Sequence, residues 1–267
     1  MNARRALGTL AFSALLPLVP LLQADPVAVR FVEGRIQGLL LLRDVDDHIL
    51  ASGSATQVAN GGRVTNELIF HFKDGSAHQE TAVFTQRRTF RLLTYHLVQK
   101  GPAFKRPIDL SLNASTGQVT VHYTDDGNEK TINERMNLPA DLANGIMTTL
   151  LANIDAKAPK TTLSMLVATP KPRLVKLEIA PQHEDPFSIG GSTAKALRYV
   201  VKINIGGISG VVAPLVGKQP PDTHVWMFGG RVPGFLRSEG PLCDACPVWR
   251  IELAGPVWPK NSSPQPR

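Results

Sequence analysis

The chain reads Glu67-Leu-Ile-Phe-His-Phe-Lys73, then Asp74-Gly75, then Ser76-Ala-His-Gln-Glu-Thr-Ala-Val-Phe84 within its first third. Apolar and polar residues alternate on both sides of the Asp-Gly dipeptide, which is favoured in tight hairpin turns. The pattern therefore predicts two antiparallel strands. We expect them to pair around a two-residue turn.

Similar short segments continue through most of the chain. Asn60-Gly61-Gly62 and Asp126-Gly127 indicate further chain reversals between them. The other strand candidates are Val27 to Arg43, Thr89 to Val98, Ile108 to Leu112, Gln118 to Tyr123, Lys130 to Met136, Thr162 to Ala168, Arg173 to Ile179, Arg198 to Ile205, His224 to Phe228 and Trp249 to Leu253. The fold class predicted is mainly β, with a curved antiparallel sheet that forms a half-barrel or open barrel.

One segment departs from the strand pattern. Between Pro139 and Ile154, apolar residues recur four apart at Leu142, Ile146 and Leu150. This spacing predicts one inserted amphipathic helix, with a proline near its first turn. We expect the helix to lie in the concavity of the sheet.

The first 24 residues have the features of a secretory signal peptide. Arg4 and Arg5 precede an apolar run from Leu10 to Leu22, and cleavage is expected after Ala24. An uncleaved anchor or a disordered apolar leader is the alternative. The expected location is secreted or periplasmic, with residues 25–259 as a single β-rich domain and residues 260–267 as a disordered tail.

The composition narrows the classes of function. The formal net charge is +7, but the basic residues form no run typical of a nucleic-acid-binding arm. Together with the expected export, this argues against a nucleic-acid partner. The seven histidines show no metalloprotease spacing, and no Gly-x-Ser-x-Gly is present. We therefore predict no catalytic residues and no cofactor.

The two cysteines of the chain are Cys243 and Cys246, in Cys-Asp-Ala-Cys. A zinc site usually needs four ligands, and no second cysteine pair exists. In an oxidising compartment a small disulfide within a loop is the favoured interpretation, and free thiols are the alternative.

A metal site is a second hypothesis for the hairpin. If Asp74 and Gly75 form a two-residue turn, His71 pairs with His78, and Glu80 lies diagonally on the same face. Two imidazoles and a carboxylate are suitable ligands for a transition metal. The same residues are also typical of a solvated outer face, with Phe70 and Phe72 pointing inward.

The apolar, glycine-rich stretch from Gly206 to Gly217 also allows two interpretations. It is either a buried element against the sheet or a loop that makes peripheral contact with a membrane or a partner.

Several motifs resemble an uncharacterised family of exported bacterial proteins. They are Phe70-His-Phe-Lys-Asp-Gly-Ser76, Phe90-Arg-Leu-Leu-Thr-Tyr-His-Leu-Val-Gln-Lys-Gly101, Gly117-Gln-Val-Thr-Val-His-Tyr123, Leu138-Pro-Ala-Asp-Leu142 and Gly217-Lys-Gln-Pro-Pro-Asp-Thr-His-Val-Trp226. More distantly, the order of elements is similar to that of the half-barrel lipoprotein carriers of the bacterial envelope. That resemblance implies a curved sheet that holds acyl chains under a helical lid.

The leading functional hypothesis is non-enzymatic binding of a hydrophobic ligand, such as a lipid or a lipidated protein. The expected ligand-binding residues are Phe70, Phe72, Leu142, Ile146 and Leu150. An envelope interaction protein without a ligand cavity is the first alternative. A metal-dependent hydrolase that uses His71, His78 and Glu80 is the second.

Overall fold

The computed structural model describes residues 26–125, 127–189, 191–204, 220–230, 232–244 and 246–255. These residues form one antiparallel sheet of 14 strands and one short helix. The bounds of the elements are β1 Ile36–Arg43, β2 Ile49–Asn60, β3 Arg63–Phe72, β4 Ala77–Gln86, β5 Phe90–Lys100, β6 Ile108–Asn113, β7 Gln118–Asp125, β8 Asn128–Arg135, α1 Met147–Asn153, β9 Thr161–Val167, β10 Arg173–Ile189, β11 Ser192–Asn204, β12 Thr223–Phe228, β13 Gly234–Pro241 and β14 Val248–Leu253.

The strand order is that of two meanders joined at their first and last strands. Across the sheet it runs from β8 down to β1, then β14, then down to β9. Leu40 of β1 lies opposite Leu253 of β14. The outer strands β8 and β9 do not pair with each other, so the sheet is open. The predicted fold class, an open curved antiparallel sheet with an inserted helix, is confirmed.

Strand β13 was not predicted from the sequence. Its residues Phe235 and Leu236 are adjacent apolar residues, which interrupts the alternation that marks a strand. The structure accommodates them with a bulge at Leu236: Arg237 lies opposite Trp226 and Phe235 lies opposite Met227, so the pairing passes over Leu236. Such a bulge sends consecutive side chains to positions that a regular strand would not give them.

The hairpin of β3 and β4 is present, but its predicted register was wrong by one residue. His71 lies opposite Ala77, and Phe70 lies opposite His78. The N–H of Phe72 donates to the carbonyl of Ser76, which leaves a three-residue loop with Gly75 at φ +85°. A glycine in the left-handed region is what a three-residue loop requires, and Asp-Gly suits it as well as the two-residue turn.

The helix is shorter than predicted because its first half caps a strand edge. Residues 139–146 are not helical, and α1 begins at Met147. The side chain of Asn144 accepts the N–H of Leu166 and donates to its carbonyl. The N–H of Ala143 donates to the carbonyl of Ser164. These bonds satisfy backbone groups at the free edge of β9, which would otherwise be exposed.

The main core lies between the two meanders. Buried side chains of α1 and the segment before it contact apolar residues of β4–β7 on one side and β9–β12 on the other. Leu150 and Leu151 are fully buried members of this cluster. A second apolar cluster, which we call the aromatic end, contains Phe70, Phe72, Phe104 and Trp249. The sheet therefore surrounds the helix, as the sequence predicts.

Candidate ligand-binding cavity

A cavity of about 570 Å³ opens between α1 and the inner face of β1–β3 and β12–β14. This volume is within the range of small-molecule sites. Its apolar part is lined mainly by Leu40, Leu68, Phe235, Trp249, Ile251 and Leu253. These residues belong to the aromatic end or pack against it. Ile36 lies at the rim, where its side chain is 54% exposed.

The helix turns its less apolar face to this cavity. Met147, Thr148, Thr149 and Ala152 line the cavity. The larger apolar residues of the helix point instead into the main core. One short helix therefore separates a packed core from an open space.

A hydrogen-bonded group of polar residues occupies one end of the cavity. The side-chain N–H of Gln57 donates to the carboxylate of Glu33 at 2.6 Å. The hydroxyl of Thr149 donates to the amide oxygen Oε1 of the same Gln57 side chain at 3.3 Å. Burial raises the pKa of Glu33, and the hydrogen bond from Gln57 opposes that rise in part.

Asn66 lies beside this group on the same face of the sheet, opposite Gln57. Its amide nitrogen donates to the carbonyl of Gly145 at 3.4 Å. Its carbonyl oxygen Oδ1 is buried and has no hydrogen-bond partner among the described residues. A buried acceptor without a donor is costly, so this atom favours a donor in the cavity.

Glu80 completes the polar end. It lies opposite Leu68, and therefore on the inward face of the sheet. Nε2 of the buried His78 is 3.9 Å from its carboxylate. On its other ring nitrogen, Nδ1, His78 is 3.2 Å from the amide of Gln99, which also donates to the carbonyl of Leu242. Burial, followed by the charge of Glu80, raises the pKa of Tyr95 well above its usual value.

Glu33 gives the cavity a predicted dependence on pH. Its pKa is higher in the folded chain than in the unfolded chain, so the folded chain binds more protons between the two values. Stability therefore falls as the pH rises through that interval. We expect Glu33→Gln to lose less stability than the wild type between acidic and neutral pH, measured by denaturant unfolding. Parallel curves for the two proteins would contradict this expectation.

The five expected ligand-binding residues lie next to the cavity but do not line it among its described residues. Leu142, Ile146 and Leu150 are buried in the main core. Phe70 and Phe72 point inward and belong to the aromatic end. The side chains of these two phenylalanines therefore pack in the same cluster as the apolar wall of the cavity.

The three candidate metal ligands do not come together. His71 is exposed, whereas His78 is 2% exposed and lies on the opposite face of the hairpin with Glu80. The cause is the register, because a shift of one residue moves side chains to the other face. In the described part of the chain, one group of three ligand-type residues is close enough for a metal, Asp44, Asp46 and His48, on a mostly exposed turn.

Cys243 and Cys246 form a disulfide whose Cα atoms are 5.1 Å apart. Both residues pack against the aromatic end.

Three segments named in the sequence analysis lie outside the described residues. They are the first 24 residues, the stretch from Gly206 to Gly217 and the tail from residue 260. Within the described ranges, no helix has the length and apolar character needed to cross a membrane.

Of the residues that form the polar end of the cavity, sequence reasoning singled out only Glu80, and as a metal ligand. Glu33, Gln57 and Asn66 lie in three separate segments and share no motif. The one available signal is the hairpin itself, because the correct register places Asn66, Leu68 and Glu80 on a single face.

Comparison of the chain with protein-family models, with curated proteins and with solved structures gives no match.

Proposed function

We propose that this protein binds a hydrophobic ligand, either a lipid or the lipid part of a lipidated protein, and does so without catalysis. The observation that carries the proposal is the cavity of about 570 Å³ with its apolar wall. An apolar ligand in this space removes apolar surface from water at both the wall and the ligand, which is favourable at about 25 cal/mol per Å².

The position of the helix supports the same proposal. α1 covers one side of the cavity with small and flexible side chains, including Met147 and Ala152. Methionine adapts its shape readily to different apolar partners. A wall of this kind suits a ligand with a flexible chain. The resemblance to envelope lipoprotein carriers and the predicted signal peptide favour a role in the secreted or periplasmic compartment.

The proposal is tested by native mass spectrometry of the full chain, purified from its exported compartment. Lipid extraction of the same sample follows. We expect an additional bound mass that is recovered in the lipid extract. A homogeneous protein without bound mass, which also fails to bind added alkyl amphiphiles, would overturn the proposal and favour an interaction protein without a ligand.

A variant that fills the cavity provides a matched test. Ala55 lines the cavity, and Ser52 is an exposed residue of the same strand on its other face. We expect Ala55→Phe to weaken ligand binding by roughly tenfold or more, because the new ring occupies space that the ligand needs. Ser52→Phe should bind as the wild type does. Equal binding by both variants would show that the ligand lies elsewhere.

A further inference from the structure

The charge of the cavity is opposite to that of the chain. The whole chain carries a formal net charge of +7. Yet the described residues that line the cavity include three glutamates and no lysine, arginine or histidine. The cavity therefore offers a ligand many acceptors and no basic side chain.

Two of the three carboxylates face the interior. Glu80 shares the inward face with its partner Leu68, and Glu33 is hydrogen-bonded to Gln57, which is 7% exposed. Glu67 precedes Leu68 on the same strand, so strand alternation directs its side chain to the outer face. Glu67 is thus a natural control.

The acceptors of the polar end are close to one another. Asn66 and Glu80 are diagonal neighbours on adjacent strands, a separation of about 7 Å. Gln57 lies opposite Asn66 and holds Glu33 beside it. Oδ1 of Asn66 has no donor among the described residues. Glu33, Asn66 and Glu80 therefore present their acceptors at the same end of the cavity.

A ligand that closes the cavity removes water from these acceptors. An ionised carboxylate that loses water must gain an opposite charge or hydrogen bonds, or the complex is strongly disfavoured. A head group with a negative charge would place like charges together in a poorly hydrated space. A purely apolar ligand would bring neither charge nor hydrogen bonds to these carboxylates, and would leave Glu33 with its one hydrogen bond from Gln57.

We propose that the ligand is an amphiphile whose head group is positively charged and donates hydrogen bonds, as an alkylammonium does. The head lies among Glu33, Asn66 and Glu80, and the apolar chain lies against Trp249 and the aromatic end. This inference rests on the proposed function and specifies the ligand class of the same cavity.

The test uses three ligands with the same alkyl chain, brominated at the far end: decylammonium, decanol and decanoate, each below its micelle concentration. Bromine quenches a nearby tryptophan, and Trp249 lines the cavity. Trp249→Phe identifies the signal from this residue. We expect the full-length wild type to bind decylammonium roughly tenfold more tightly than either of the other ligands at neutral pH.

The variants Glu33→Gln and Glu80→Gln keep the size of the side chains and one acceptor oxygen each, and remove their charge. We expect the double variant to lose the preference for decylammonium while it still binds decanol. Glu67→Gln should retain the preference. A denaturant unfolding curve for each variant checks that the fold is intact.

The outcomes separate the inference from the proposed function. If decanoate or decanol binds as tightly as decylammonium, the inference of a positively charged head group is wrong, while the proposed binding of a hydrophobic ligand still stands. A preference that persists in the double variant would also overturn it. If no ligand quenches Trp249, the proposed function fails and the inference fails with it.

Discussion

Phe70→Ala is expected to lower the free energy of unfolding by about 3–5 kcal/mol, as is typical when a large buried side chain is truncated. The ring of Phe70 is fully buried. It packs directly on the backbone of Gly53, where an added Cβ would come within 2.5 Å of the ring. A rigid strand backbone cannot collapse into the space that the ring leaves. Denaturant unfolding measures the loss.

Phe228→Ala is the matched control, because this phenylalanine is 41% exposed. Its truncation removes less buried surface, so we expect a loss of roughly 1 kcal/mol. Phe70 also supports the wall of the cavity, and its truncation should change the affinity for alkyl ligands. Similar losses of stability for the two variants would contradict the packing that we describe at the aromatic end.

Gly145→Ala is expected to be nearly as damaging. Gly145 precedes α1 with φ +68°, a conformation that costs a residue with a Cβ about 1–2 kcal/mol. The added Cβ would also lie 2.6 Å from Cβ of Ala82 and 3.1 Å from the ring of Tyr95. Overpacking of this kind adds typically 1–3 kcal/mol. We expect a total loss of roughly 2–5 kcal/mol in denaturant unfolding.

Gly61→Ala separates the two causes. Gly61 has a similar φ of +58°, but nothing lies within 4 Å of an added Cβ. Its substitution should therefore cost only the conformational part, about 1–2 kcal/mol. If both variants lost the same stability, the close approach of Gly145 to β4 and β5 would have no energetic consequence.

Most of the strands were predictable because they bury one face. The alternation in residues 67–84 and in the segments around it identified 12 of the 14 strands at least in part. The errors in the predicted strands have physical causes. In β13 a bulge at Leu236 interrupts the alternation. The β3–β4 hairpin was predicted with its register wrong by one residue, because Asp-Gly suits two kinds of turn.

The helix shows how tertiary contacts override a periodic pattern. Leu142 and Ile146 have helical spacing and are buried, as predicted. Leu142 nevertheless forms a parallel bridge with Ser164, and Asp141 accepts the hydroxyl of Ser164. Hydrogen bonds to a free strand edge thus replace the first turns of the helix. Nothing within residues 139–146 alone indicates that such an edge is near.

A concave apolar site was predictable from the sequence, but the residues that line it were not. A curved sheet with a helix inside it suggests a concave apolar site. Which residues line that site depends on how the helix is rotated about its axis. In the structure its largest apolar side chains face the main core, so they do not line the cavity. The polar end joins residues from the segment before β1, from β2, from β3 and from β4, a combination that only the assembled sheet creates.

The pairing of β1 with β14 has a consequence for how the chain folds. The side chains of Arg43 and Glu252, 209 positions apart, are joined by a hydrogen bond of 2.7 Å in the middle of the sheet. During synthesis the first eight strands can pair in order, but the far edge of β1, rich in leucine, has no partner until β14 emerges. Contacts this distant slow folding, and an open apolar edge promotes aggregation. The edge of β1 therefore stays unpaired until β14 is present, and the wall of the cavity that β12–β14 provide can be completed only then.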